Sequence, residues 1–317
     1  MYYLGIDLGA TNMRAAIVDE TGRIIRQNSM PTHAGRNVFE IIQDMAELSL
    51  RLFEVEGIAQ SDITAAGIGV PGLADLKTGF VHQCSNLFWK DVPLADILRT
   101  WFVMPVYITN DANCSVLAEA CIGVFRGRKN AVLITLGSGV GGGILLDGKL
   151  YTGAHGAAGE IGHMVIHLDG DFCACGNRGC FERYASADAL IRMAQRAVAG
   201  SPDSLILRKA ALVTGAIDAQ IVIDAAKEGD PIALRVFEEY IYNLSKGIVS
   251  LINLYDPEIL ALGGGVSCAG EFLISAVRSE VSKYLFFNGF SCEEIVLSAL
   301  CNEAGVIGAA LFAHACA

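Results

Sequence analysis

Three times in this chain a short apolar run, of the length of a buried strand, stops at glycine. Leu4 to Leu8 leads into Gly9-Ala10-Thr11-Asn12, Ala131 to Leu136 into Gly137-Ser138-Gly139-Val140-Gly141-Gly142-Gly143, and Ile259 to Leu262 into Gly263-Gly264-Gly265. Glycine costs backbone entropy and adds no packing, so this recurrence requires something to approach the backbone closely. Phosphate held by backbone N–H groups meets that requirement. No Gly-Lys-Ser or Gly-Lys-Thr occurs, and the Gly137 run leads into a strand, not a helix, so neither the P-loop nor the Rossmann turn is present.

Between the turns, helical and extended patterns alternate, which points to an α/β chain. Apolar residues at Ile41, Ile42, Met45, Leu48, Leu52 and Phe53 predict a helix over 38–55. Similar patterns predict helices over 94–101, 113–125, 187–199, 219–226, 232–254, 271–285 and 303–315, and strands over 14–18, 24–30, 65–70, 106–109, 143–146 and 295–299. At 317 residues the chain exceeds what one core ordinarily supports. Two lobes are expected, divided near Asp111: a small α/β lobe over 1–111, to which a final helix of about 303–317 returns, and a large α/β lobe over 112–302.

A net charge of −11 repels nucleic acid and anionic membranes, so neither is an expected partner. No apolar segment reaches the roughly 18–20 residues of a membrane span, and the first residues carry no signal-like pattern. The expected location is the cytoplasm. Most of the ten cysteines stand alone in apolar surroundings, as free core thiols do.

Two further segments carry chemistry. In Thr109-Asn110-Asp111-Ala112-Asn113 a carboxylate follows a strand and is flanked by amides, a suitable place for a general base. Asp111 or Asn113 capping the next helix accounts for the same residues. In Cys173-Ala174-Cys175-Gly176-Asn177-Arg178-Gly179-Cys180, three thiols within eight residues, separated by glycines, can wrap a tetrahedral ion. His163 completes a Cys₃His set of the kind that holds structural zinc, with His167 the rival fourth ligand.

Taken together, Asp7-Leu8-Gly9-Ala10-Thr11-Asn12, the Gly137 run, Gly159-Glu160-Ile161-Gly162-His163 and the Cys-x-Cys-Gly-x-x-Gly-Cys-x-Glu segment ending at Glu182 resemble the ROK family of sugar kinases and sugar-responsive repressors. The resemblance runs from Leu4 to about Leu311. It implies a two-lobed actin-like ATPase (ribonuclease H-like) fold with a cleft between the lobes. It implies ATP with Mg²⁺ as phosphoryl donor, structural Zn²⁺, and a homodimer or dimer of dimers formed through the large lobe. By position, Asp111 resembles the catalytic base. Gly72, Asn86, Asn110, Glu160, His163 and Glu182 resemble the sugar-binding residues, His163 reaching zinc through one ring nitrogen and sugar through the other. Asp7, Gly9, Ala10, Thr11 and Asn12 resemble the first phosphate motif, Gly137, Ser138, Gly139, Val140 and Gly141 the second, and Gly263, Gly264 and Gly265 the stretch beside the nucleotide. Ser138 stands where the family more often has threonine, and Gln83-Cys84-Ser85 lacks a proline often found before the asparagine.

The segment from Asn86 through Trp89 to Leu94 is most similar to the family's glucokinases, which implies phosphorylation of the 6-hydroxyl of glucose. Kinases for fructose, allose, mannose or N-acetylmannosamine share nearly everything else, and some relatives use polyphosphate. A sugar-sensing regulator without catalysis is the reading from a different class. The family's repressors carry a basic winged-helix domain ahead of the first phosphate motif. That motif begins here at residue 7, so no such domain is expected.

Overall fold

The computed structural model describes residues 1–213, 215–287 and 289–317, with Ser85 described in its backbone alone. In chain order the strands are β1 (Tyr2–Leu8), β2 (Asn12–Asp19), β3 (Ile24–Pro31), β4 (Ile63–Val70), β5 (Leu73–Asp75), β6 (Phe80–Cys84), β7 (Trp89–Val92), β8 (Val106–Asn110), β9 (Ala131–Leu136), β10 (Val140–Leu146), β11 (Lys149–Leu150), β12 (Ile259–Gly263) and β13 (Ile295–Leu297). The helices are α1 (Val38–Glu56), α2 (Leu94–Leu98), α3 (Asp111–Cys121), α4 (Glu182–Ala185), α5 (Ala187–Val198), α6 (Leu205–Val213), α7 (Ala219–Lys227), α8 (Pro231–Tyr255), α9 (Glu271–Val281) and α10 (Ala304–Cys316). The strands form sheets of order β3-β2-β1-β4-β8, β11-β10-β9-β12-β13 and β5-β6-β7. Among the described residues, no helix is long and apolar enough to cross a membrane.

The chain divides into two compact units. The first holds residues 1–129, 143–159 and 302–317, the second residues 130–142 and 160–301. The division differs from one at Asp111, because α3 packs against α10 and stays with the first unit. A Cβ on Gly308 of α10 would overlap the Cys114 carbonyl of α3, so the two helices meet backbone to backbone. That contact joins residues almost two hundred positions apart and leaves no local pattern.

In the first unit, β1 pairs antiparallel with β2 and parallel with β4, and β4 pairs parallel with β8. The two-residue period of a strand sorts β1 cleanly. Leu4, Ile6 and Leu8 join Ile41, Ile42 and Met45 of α1 in one apolar core. On the opposite face, a Cβ at Gly5 would overlap the Val306 carbonyl and one at Gly67 of β4 the Ala309 carbonyl, so α10 lies directly on the sheet. Asp7 shares this face by register. Helix α1 starts where Asn37 accepts the Phe39 N–H and ends at Gly57, whose φ of 67° closes it in the left-handed conformation.

In the second unit, β9 and β13 both run parallel to β12. Ile134, Leu260 and Leu262 of the sheet pack with Ile248 and Leu251 of α8 and Leu273 of α9. Helix α8 begins at Asp230, whose carboxylate accepts the Ile232 and Ala233 N–H groups just ahead of Pro231 in the first turn. Gly247, midway along it, leaves the gap in which the Phe181 ring sits.

Candidate active site

In the first unit Asp7, Gly72 and Asp111 lie at the carboxyl ends of the parallel strands β1, β4 and β8, and in the second the two glycine runs follow the parallel strands β9 and β12, where α/β sheets place their ligands. In the first unit β1 delivers Asp7 and then turns tightly. The Gly9 N–H donates to the Asn12 carbonyl at 3.0 Å, and a Cβ on Gly9 would come within 2.7 Å of that oxygen. Fully buried Thr32 braces the turn from behind. Its N–H donates to the Thr11 carbonyl at 2.9 Å and its hydroxyl to the Gly9 carbonyl at 2.7 Å. Thr11 and Asn12 are exposed. Thr32 carries no signal in the sequence, being a lone threonine after a strand.

Asp7 is half-buried, and burial pushes its carboxyl up to about 6, against the pull of the Arg14 guanidinium. The first turn of α10 lies against it, and a Cβ on Gly305 would stand 2.6 Å from the Asp7 carboxyl carbon. Gly305 is thus a spacer for this acid, another role without a local signal. An acid whose pKa rises on folding stabilises the protein below its unfolded value of 3.8, and this contribution is lost as pH rises through about 6. Asp7→Asn removes that loss. We expect the variant's urea stability relative to the parent to rise by about 1–3 kcal/mol between pH 4.5 and pH 7.5. A relative stability unchanged across that interval would show that the native carboxylate is not strained.

At the end of β8, Asn110 caps α3. Its Oδ1 accepts the N–H groups of Ala112 at 2.9 Å and Asn113 at 3.1 Å. The cap is therefore neither Asp111 nor Asn113. The Nδ2 of Asn110 donates to the Gly72 carbonyl at 3.3 Å. Gly72, at φ 156°, packs on Gln83 and Cys84, so Gly72, Asn110 and the strand leading to exposed Asn86 come together. Asp111 opens α3, with its Oδ1 accepting the Ala112 N–H at 2.8 Å, and a Cβ on Gly69 of β4 would stand 3.2 Å from the Asp111 Cα. Gly143 serves packing: a Cβ there would overlap Val116 of α3.

In the second unit, His163, Cys173, Cys175 and Cys180 bring one ligand atom each to within 4.8 Å of one another. Cys175 and Cys180 Sγ are 3.6 Å apart, and Cys173 Sγ is 3.7 Å from His163 Nδ1. A tetrahedral zinc centre sets S···S at about 3.8 Å and S···N at about 3.5 Å, so the donor set fits the ion in spacing as well as in kind. His163 presents Nδ1 to the cluster. His167 is engaged elsewhere, its Nε2 2.9 Å from Asn243 Oδ1 and its ring beside Tyr184. The loop closes on Gly176 and Gly179, at φ 94° and 73°. Burial, with the neighbouring thiols, pushes Cys180 up to about 12, so a metal would have to displace its proton.

The second glycine turn lies beside this loop. The Gly137 N–H donates to the Gly139 carbonyl at 3.0 Å, and the Gly137 carbonyl accepts the Ala187 N–H at 2.7 Å. A Cβ on Gly162 would overlap the Val140 carbonyl, so Glu160 and His163, on either side of Gly162, stand close to the turn. Glu182 opens α4 and reaches back to the Val140 N–H at 3.3 Å. Gly264, at φ 81°, sits on the end of β9, and a Cβ there would be 2.6 Å from the Leu136 N and O atoms. The parallel β9–β12 pair thus sets Gly137 to Gly141 next to Gly263 to Gly265.

The ROK family model matches residues 3–316. A glucokinase of Thermotoga maritima is 35% identical over 97% of this chain and 95% of its own length. A xylose repressor of Caldicellulosiruptor bescii is 31% identical over 96% of this chain and 76% of its own. The crystal structure of a ROK glucokinase from Streptomyces griseus, in complex with glucose and AMPPNP, superposes with a TM-score of 0.89 at 32% identity, covering 99% of this chain and 100% of that one.

Proposed function

This chain belongs to the ROK family, and from that premise we propose that it is a glucokinase, transferring the γ-phosphoryl group of ATP to the 6-hydroxyl of glucose. The fold is the two-unit actin-like (ribonuclease H-like) ATPase fold. The observation that carries the catalytic reading is Asp111: a carboxylate at the carboxyl end of a parallel strand, beside Asn110, whose Oδ1 caps α3.

Phosphoryl transfer asks for an aligned hydroxyl, a base beside it and neutralised phosphate charge. Asp111 takes the proton from the 6-hydroxyl as that oxygen attacks phosphorus. Gly72, Asn86, Asn110, Glu160, His163 and Glu182 bind the remaining hydroxyls. His163 uses Nε2 for this, since Nδ1 faces the thiols. Asp7, Gly9, Ala10, Thr11 and Asn12, with Gly137 to Gly141 and Gly263 to Gly265, hold the nucleotide. Mg²⁺, when bound, would supply charge neutralisation at the phosphates, with Asp7 as the oxygen ligand that would hold it or its water. His163, Cys173, Cys175 and Cys180 would hold Zn²⁺ as a structural ion, which would orient His163. The same reading takes the enzyme as a homodimer or dimer of dimers working in the cytoplasm.

ADP release measured over glucose, fructose, mannose, allose and N-acetylmannosamine tests the substrate. Glucose should exceed the others in kcat/KM by about tenfold or more, because a site group left without its hydroxyl partner is costly. If no hexose raises ADP release above the sugar-free rate, the chain is a regulator and not a kinase.

A further inference from the structure

Glu182 serves two partners with one carboxylate. Its Oε2 accepts the Val140 N–H at 3.3 Å, and its Oε1 lies 3.9 Å from Cys173 Sγ. A Cβ on Gly139 would overlap Oε2, so the missing side chain at 139 is the space that this oxygen fills. Gly139 does not take a left-handed φ, so its backbone would accept alanine. The glycine is required by the carboxylate.

We propose that Glu182 is a positioning residue for the 137–140 turn, and that it thereby couples sugar binding to nucleotide binding. The inference rests on the kinase reading, in which Glu182 also meets a sugar hydroxyl. A carboxylate has acceptor sites on both oxygens, so a hydroxyl on Oε1 leaves Oε2 on the Val140 N–H. Sugar then orders a side chain with several rotatable bonds. Nucleotide binding to the turn no longer bears that ordering cost, and the benefit is reciprocal. The main chain supports this arrangement. Phe181, next to Glu182, is buried against Gly247, and its N–H donates to the Met164 carbonyl at 2.7 Å. Only the end of the Glu182 side chain is left to be ordered.

Calorimetric titration of the full-length, metal-loaded protein tests the coupling. AMPPNP is titrated with and without saturating glucose, and glucose with and without saturating AMPPNP. In the parent each ligand should tighten the other by about fivefold or more, by the same factor in both directions. In Gly139→Ala the added methyl displaces Oε2, and the factor should fall to about one while glucose alone still binds. Glu182→Ala, which removes both oxygens, should also lose coupling. Equal factors in the parent and Gly139→Ala would overturn the proposal, as would a parent that binds both ligands without coupling, and either result leaves the kinase reading standing. A parent that binds neither ligand overturns both.

Discussion

Asp111→Asn should lower turnover with glucose by about two to four orders of magnitude, the usual range for a general base. Binding of glucose and of AMPPNP should stay within about threefold of the parent. The amide keeps the size of the side chain, and Asn110 holds the start of α3, so the substitution leaves the helix cap intact. The loss should therefore fall on kcat and spare KM. Turnover within about threefold of the parent in a folded variant would remove Asp111 from the role of base.

Cys175→Ser should empty the metal centre and weaken glucose binding by on the order of tenfold or more, with the zinc content falling from about one per chain toward none. A closed site supplies the folding energy of its own loop, so losing one ligand releases the set. Cys175 lies 3.6 Å from Cys180 and is exposed, so a direct contact with sugar is not needed for the effect. Without the proposed ion, His163 would lose what aims its ring. AMPPNP binding measured without sugar should change by less than about threefold. Phe181, seated against Gly247, anchors the main chain next to Glu182, and none of the four clustered ligands lies in the 137–140 turn. Elemental analysis with paired titrations reads all three quantities. Parent-like glucose affinity in a zinc-free variant would break the link between metal and sugar.

Much of the site is local in sequence and could be read there. The turn at Gly9 follows from a strand that stops at glycine, and the thiols at 173, 175 and 180 lie within one loop that His163 joins. Helix α1, expected over 38–55, runs Val38–Glu56, because its apolar stripe and its glycine stop are both local. What escaped depends on distant partners. Thr32 and Gly305 matter only through Gly9 and Asp7, which pack on them from elsewhere in the chain. Strands β5 to β7 are three to five residues long and too short to show a period, so that sheet was not anticipated. Helix α6 was missed for a similar reason: only Ile206 and Ala210 of its nine residues are buried. The glycines at 137–143 look alike in sequence but meet different neighbours. Gly139 makes room for Glu182 and Gly143 for Val116.

The most direct test of the account is product analysis with two sugars that differ at one oxygen. The purified protein is incubated with ATP and Mg²⁺ and either glucose or 6-deoxyglucose, and sugar phosphate and ADP are both measured. With glucose, one glucose 6-phosphate should form for each ADP. With 6-deoxyglucose, which lacks the 6-oxygen that the proposed base Asp111 would deprotonate, no sugar phosphate should form and ADP should stay at the sugar-free level. A phosphate ester on 6-deoxyglucose, or no glucose 6-phosphate from glucose, would contradict the account.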